Sequence, residues 1–181
     1  MNLTKNKIEQ LYQYYAHNGF DHTVDEIASA LTISKKTFFN RYNNKNESIV
    51  QCVDYWHELI SNRFQGKLLQ CNHSVEELVL FSWELQTIRK QEHYFFNYEI
   101  ENETLLTGDA PYMSILQSII RKGIRCYHFN NDIDILLYSK YLISILAQMS
   151  FTESEHPQIM RYLLDCLLTE RGKELLEEMN I

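Results

Sequence analysis

The chain has 181 residues and a formal net charge of −7, and 45% of its residues are hydrophobic against 23% charged. That length is enough to bury the core of one or two small domains, and that balance excludes a disordered or membrane-spanning chain. With only 2 Pro and 5 Gly, long uninterrupted helices are expected and the fold class reads as all-α.

In chain order, Ile8, Leu11, Tyr12, Tyr15 and Ala16 recur at the spacing of one buried stripe, which predicts a first helix over about residues 4–18 ended by Gly19. Thr23 with Glu26 three residues later is a capping box, and it opens a second helix with Val24, Ile27, Ala28 and Leu31 inward. The run breaks at Thr32-Ile33. Ser34 caps a third helix, which Phe38 and Tyr42 anchor at i, i+4 spacing, leaving Lys35, Lys36, Asn40 and Arg41 outward. From Ser34 to Lys45 there are four cations and no carboxylate. An acidic protein thus keeps one face basic.

A second capping box, Asn44 with Glu47, opens a linking helix that carries Ile49, Val53, Trp56 and Ile60 and runs to about Gly66. A third, Ser74 with Glu77, opens a helix over residues 75–90. The aromatic run His93-Tyr94-Phe95-Phe96-Asn97-Tyr98 reads as short or irregular, with Glu99, Glu101 and Glu103 behind it, and Gly108-Asp109-Ala110-Pro111 reads as a break. From Pro111 a helix places Tyr112, Ile115, Leu116, Ile119 and Ile120 on one side. Two long helices, about residues 133–149 and 157–168, are apolar on more than one face, and a short one follows from Glu170.

Charge is uneven along the chain: residues 1–48 hold six Lys/Arg and five Asp/Glu, and residues 49–181 hold eleven and nineteen. An acidic body repels a polyanion while the basic segment attracts it, so nucleic acid would dock at one end only. The chain is therefore expected to divide into a helix-turn-helix DNA-binding domain, residues 1–48, and a helical body, residues 49–181. Cys52, Cys71, Cys126 and Cys166 fit no CxxC pattern and read as reduced thiols without a metal. There is no GxSxG, GxGxxG, HExxH or phosphate-cradling loop, so no enzyme and no cofactor is expected. Residues 1–10 lack the apolar core of a signal peptide and no stretch approaches 18 apolar residues, which points to the cytoplasm.

The order IASALTISKKTFFNRYNNKNESI resembles the N-terminal signature of TetR-type bacterial transcriptional regulators. The resemblance extends back through Ile8 and the first helix to the Gly19-Phe20 turn and forward to Asn44-Lys45-Asn46-Glu47, covering about the first third of the chain. Two features depart from it: the family often has glycine where Thr32 and Lys36 stand, and tyrosine where Phe39 stands. The resemblance implies a repressor released from its operator when a ligand in the body shifts the linking helix.

Helix geometry assigns roles at the reading end. Lys35, Lys36 and Asn40 are expected to approach base edges, while Thr23, Ser34, Thr37, Arg41 and Lys45 hold phosphates. The surplus apolar surface of the last long helices suggests a two-fold dimer through Tyr138, Ile143, Ala147, Met160, Leu164 and Leu168. A palindromic operator would follow. Aromatics near helix ends suggest an effector pocket lined by Trp83, Tyr94, Phe95, Tyr98, Tyr112, Tyr127 and Met149. The alternative is a helical protein-interaction module that does not bind DNA.

Overall fold

Helix starts follow the capping pattern of the sequence in most places. The computed structural model describes residues 3–106, 110–149, 152 and 154–179; the predicted break at Gly108-Asp109 lies outside the described residues. Among the described residues the regular elements are α1 (Leu3–Asn18), α2 (Val24–Ala30), α3 (Lys35–Tyr42), α4 (Lys45–Leu68), α5 (Ser74–Gln91), α6 (His93–Glu101), α7 (Pro111–Arg125), α8 (Ile135–Gln148), α9 (His156–Leu164) and α10 (Glu170–Glu178), with a single 3-10 turn at Thr104–Leu106. The fold is all-helical. Among the described residues no helix is long and apolar enough to cross a membrane.

The capping box of α2 forms in both directions, with the Glu26 amide donating to Thr23 Oγ1 at 3.3 Å and the Thr23 amide to Glu26 Oε2 at 2.7 Å. At α4 only half of the expected box forms. The Glu47 amide donates to Asn44 Oδ1 at 2.9 Å, but the Glu47 carboxylate turns to the Asn43 side-chain amide. At α5 the expected Ser74–Glu77 box is replaced: His73 is the N-cap, accepting from the Glu76 amide at 3.1 Å. Ser74 instead meets His128 Nδ1 at 2.7 Å, and Glu77 pairs with Lys122, so tertiary partners claim both side chains.

Two further expectations change. The run at residues 93–98, read as irregular, is the regular helix α6. Glu92, with φ −124° and ψ 38°, ends α5 and begins α6 as a one-residue kink, and the burial of Phe95 and Phe96 supplies the helical stability that local propensity lacks. Conversely, the helix expected over residues 157–168 stops at Leu164. The next residues exchange hydrogen bonds with the chain after α7: the Asn130 amide donates to the Leu167 carbonyl at 2.8 Å and the Thr169 amide to the His128 carbonyl at 3.0 Å.

Helix α5 is the axis of the body, packed against α4, α6, α7, α8 and α10. It is buried on nearly every side, and its buried polar residues Glu77, Ser82, Glu84 and Gln86 are each matched by another helix. Ser82 Oγ lies 2.6 Å from His156 Nε2, Glu84 accepts from Arg63 Nε at 2.8 Å, and Gln86 donates to the Leu146 carbonyl. Such buried polar pairs fix register as well as contributing stability, since a shifted helix would strand each one.

The six residues expected at a dimer interface, Tyr138, Ile143, Ala147, Met160, Leu164 and Leu168, are all buried within this chain. The structure corrects that assignment: α8 turns Tyr138, Ile143 and Ala147 toward the chain's own core, packing on α5 and α7, and Met160 and Leu164 of α9 lie in the same core with Leu168. The apolar surface left outside is a different set: Leu136, Leu137 and Tyr141 on α8 are 52%, 67% and 50% exposed, and Tyr162 on α9 is 85% exposed.

Burial pushes the His156 imidazole from 6.5 down to about 4. The unfolded chain therefore takes up this proton at a higher pH than the folded chain, and stability present above pH 6.5 is lost as pH falls from 6.5 toward 4. Urea unfolding between pH 7.5 and 4.5 should show a steeper acid loss for the wild type than for His156→Asn. Parallel pH profiles would contradict the assignment.

Candidate nucleic-acid interface

The turn between α2 and α3 is closed by a Schellman arrangement in which the Ile33 amide reaches the Ala28 carbonyl at 2.9 Å and the Thr32 amide the Ser29 carbonyl at 3.0 Å. This places Thr32 at φ 55°, a left-handed conformation in a β-branched residue. Phe38 and Tyr42 are buried and seat α3 on the head. The opposite face of α3 carries Lys36 and Asn40, both exposed.

The expected DNA-contacting residues gather around three helix N-termini. Ser34 caps α3, accepting from the Thr37 amide at 3.0 Å, and the two hydroxyls lie 2.8 Å apart. Lys35 Nζ reaches Asp25 Oδ2 at 2.9 Å, linking the starts of α2 and α3. Lys45 is the first residue of α4. Two hydrogen bonds from Thr23 hold the Glu26 carboxyl below the usual range, with smaller help from the charges of His22 and Lys45, so the start of α4 lies within electrostatic reach of α2. Arg41 sits beside the buried Tyr42 phenol.

Not every expected donor is free in this geometry. The Thr23 hydroxyl already donates to Glu26 Oε2 at 2.8 Å, and Lys35 must leave Asp25 before it can meet a base. Lys36 has no ion-pair partner among the described residues. Sequence reasoning passed over Phe39 as a contact and noted only its missing hydroxyl. Its ring is 39% exposed on the same helix, and an apolar group there suits a thymine methyl.

Behind the head, one carboxylate ties three helices together. Glu92 Oε2 accepts from the Tyr12 hydroxyl of α1 at 3.2 Å and from Trp56 Nε1 of α4, while Glu92 Oε1 accepts from Arg63 Nη1 at 3.2 Å. Burial, then the Glu92 charge, pushes the Tyr12 phenol well up. Around this point Phe95 meets Tyr12 and Phe20 at centroid distances of 5.2 Å and Trp56 at 5.4 Å, and Phe20 meets Tyr98 at 5.4 Å. Gly19, at φ 77°, lies so close to the Tyr94 ring that a Cβ there would come within 2.8 Å of it.

This joint corrects the expected effector pocket. Tyr94, Phe95 and Tyr98 lie against the head because α6 is a helix with one side on α1. Trp83 stacks on His156 at 3.8 Å. Tyr112 is buried against Trp56 and Phe96, and its hydroxyl has no hydrogen-bond partner among the described residues. Tyr127 is 78% exposed, and Met149 is a surface residue whose carbonyl accepts from Arg89. The seven residues do not enclose one space. Cavities open elsewhere in the body, the more apolar a cleft of about 490 Å³ between α4, α5 and α7 that includes Phe64, Leu68, Ile115 and Ile119.

One protein-family description, "2'-5'-oligoadenylate synthetase 1, domain 2, C-terminus", matches residues 5–104. In this structure that stretch runs from α1 into the 3-10 turn and stops inside the body, where α5 packs on α7 and α8. Its end is therefore not the edge of a packed unit. No curated protein matches. Solved structures match along nearly the whole chain. They include the TetR family protein CprB from S. coelicolor A3(2) (TM-score 0.66, 14% identity, 97% of this chain and 95% of that one). The regulator FadR from Bacillus subtilis in complex with stearoyl-CoA matches at TM-score 0.67 and 15% identity over 88% and 96% of the two chains. A transcriptional regulator from Saccharomonospora viridis in complex with choline matches at TM-score 0.62 and 14% identity over 92% and 98%. At these identities the likeness establishes the fold.

The backbone at Thr32 gives a direct stability test. Left-handed geometry costs a non-glycine residue about 1–2 kcal/mol, and glycine gives back about 0.5–1 kcal/mol in unfolded-state entropy. Thr32→Gly should therefore stabilise the protein by about 0.5–1 kcal/mol in denaturant titration, and a destabilised variant would show that the threonine side chain has a role of its own.

Proposed function

We propose a function for a chain that belongs, over residues 5–104, to the family described as 2'-5'-oligoadenylate synthetase 1, domain 2, C-terminus, and that has throughout the fold of TetR-family transcriptional regulators. It is a homodimeric DNA-binding transcriptional regulator, not an enzyme, working in the cytoplasm as a repressor whose grip on a palindromic operator is released by a small molecule held in its body. The family description names a segment of a synthetase and assigns these residues no chemistry; the exposed face of α3 does supply a chemistry. The single observation that carries the reading is that face: Lys36, Asn40 and Phe39 stand exposed beside Lys35. A helical module that only bound proteins would have no need of an acidic chain's one basic face, so DNA is favoured over that alternative.

Residues 1–48 act as the reader and 49–181 as the regulatory and dimerising body, with α4 passing through both. Lys35, Lys36 and Asn40 read base edges. Ser34, Thr37, Arg41 and Lys45 hold phosphates through side chains and helix N-termini, and Thr23 contributes through the start of α2. One short helix reads too few bases alone, so two copies are needed, presenting their heads to half-sites about 34–36 Å apart or a multiple of that. The dimer surface is the exposed apolar face of Leu136, Leu137, Tyr141 and Tyr162, not the buried residues behind it. An effector in the body acts by shifting α4, and it lowers operator affinity by the factor by which DNA lowers its own. Relatives of the same fold hold stearoyl-CoA and choline, which supports an organic effector without naming it.

Binding to an operator selected from random duplex DNA, followed by fluorescence anisotropy, tests the reading. Lys45→Ala should weaken all sequences alike and lower the salt slope by about 1, whereas Asn40→Ala should cost about 1–3 kcal/mol and relax one base position. Wild-type binding by both variants would remove this face from DNA recognition.

A further inference from the structure

The cleft of about 490 Å³ and a second of about 550 Å³ share Ser61 and Ser114, so they form one continuous groove between α4 and α7. Its two ends differ in chemistry. One end presents Asp54, His57 and Glu58, and neither of those carboxylates has an ion-pair partner among the described residues. Behind the His57 ring stands a third carboxylate: His57 Nε2 meets Glu99 Oε1 at 2.5 Å, and the fully buried Glu99 keeps its other oxygen without a hydrogen-bond partner. The other end carries apolar side chains that reach its surface, Leu68, Leu69 and Ile115, over the buried Phe64 and Ile119. Among the described residues that line the groove, Lys122 is the one Lys or Arg, and it is already paired with Glu77. From Ser61, at the junction, to Leu68 is two turns of helix, about 10 Å along α4.

We propose that this groove binds a small amphipathic organic cation, its ammonium group at the end formed by Asp54, His57 and Glu58 and its apolar part beyond the Ser61 and Ser114 junction on Ile115, Leu68 and Leu69. Charge decides the class. An anionic head at the polar end would face unopposed carboxylates, while a cation gains from them, and the apolar end rewards a tail that a bare metal ion or a polyamine lacks. The inference rests on the reading of the body as an effector-binding unit and names the effector's chemistry. Because the groove lies along α4, whose first residue follows the recognition helix, an occupant bears directly on the helix that carries the head.

The test is calorimetric titration of the full-length protein with octyltrimethylammonium below its micelle concentration, beside octanoate and tetramethylammonium. The octyl cation should bind at a single site, with octanoate and the tail-less cation at least about tenfold weaker. Asp54→Asn/Glu58→Gln, which alters only exposed side chains, should weaken the octyl cation by about tenfold. Ser114→Trp, at the junction of the two ends, should block it. Equal binding of octanoate, or unchanged affinity in both variants, overturns the proposal. Operator affinity measured on the same samples separates the two claims. A charge-dependent, single-site cation that leaves DNA binding unchanged upholds the groove and removes ligand release from the proposed function. A protein that binds the cation but no operator upholds the groove and removes the regulator reading.

Discussion

The carboxylate of Glu92 sits where three helices must meet if the head is to have a fixed place on the body. It receives the Tyr12 hydroxyl from α1, the Trp56 indole from α4 and the Arg63 guanidinium, and it does so from the one-residue kink between α5 and α6. Hydrogen bonds to a charged group contribute about 1.5–3 kcal/mol each, and here several converge on a side chain only 17% exposed. Arg63 carries the connection on to Glu84 in the middle of α5. The head is thus wired through two carboxylates into the most buried helix of the body.

The aromatic shell around that point explains why α6 exists as a helix. Phe95 contacts rings from α1, from the turn after it and from α4, and only a helical α6 puts Phe95, Tyr94 and Tyr98 where Tyr12, Gly19 and Phe20 need them. What moves α4 relative to α6 must therefore disturb this shell. That gives the body a mechanical route to the head that does not depend on α4 alone.

The helix-turn-helix was legible in the sequence because its signals are local: Thr23 with Glu26 and Ser34 before Lys35 act within one turn of chain, and Phe38 and Tyr42 repeat at helical spacing. The body was less legible because its decisive partners are distant. Nothing near Ser74 shows that His128, 54 residues away, will claim its hydroxyl and leave His73 as the cap. Apolar stripes on α8 and α9 mark burial correctly, but a stripe does not say whether its cover is the same chain, so Ile143 and Leu164 read as partner contacts where α8 and α9 turn them inward. The tyrosines at residues 93–98 suggest a pocket wall by their amphipathic character, whereas Tyr94, Phe95 and Tyr98 pack on the first 20 residues, and Phe95 also meets Trp56 and Phe96 meets Tyr112.

If the Glu92 joint holds the head, its loss should be felt at α1 and α6 together and not across the body. Hydrogen exchange on the wild type and on Glu92→Gln measures this directly, since local opening is reported amide by amide. The expected result is faster exchange in α1 and α6 with α7 and α8 unchanged. Unaltered protection in α1, or a uniform loss through all the helices, would contradict the joint as the point on which the structure depends.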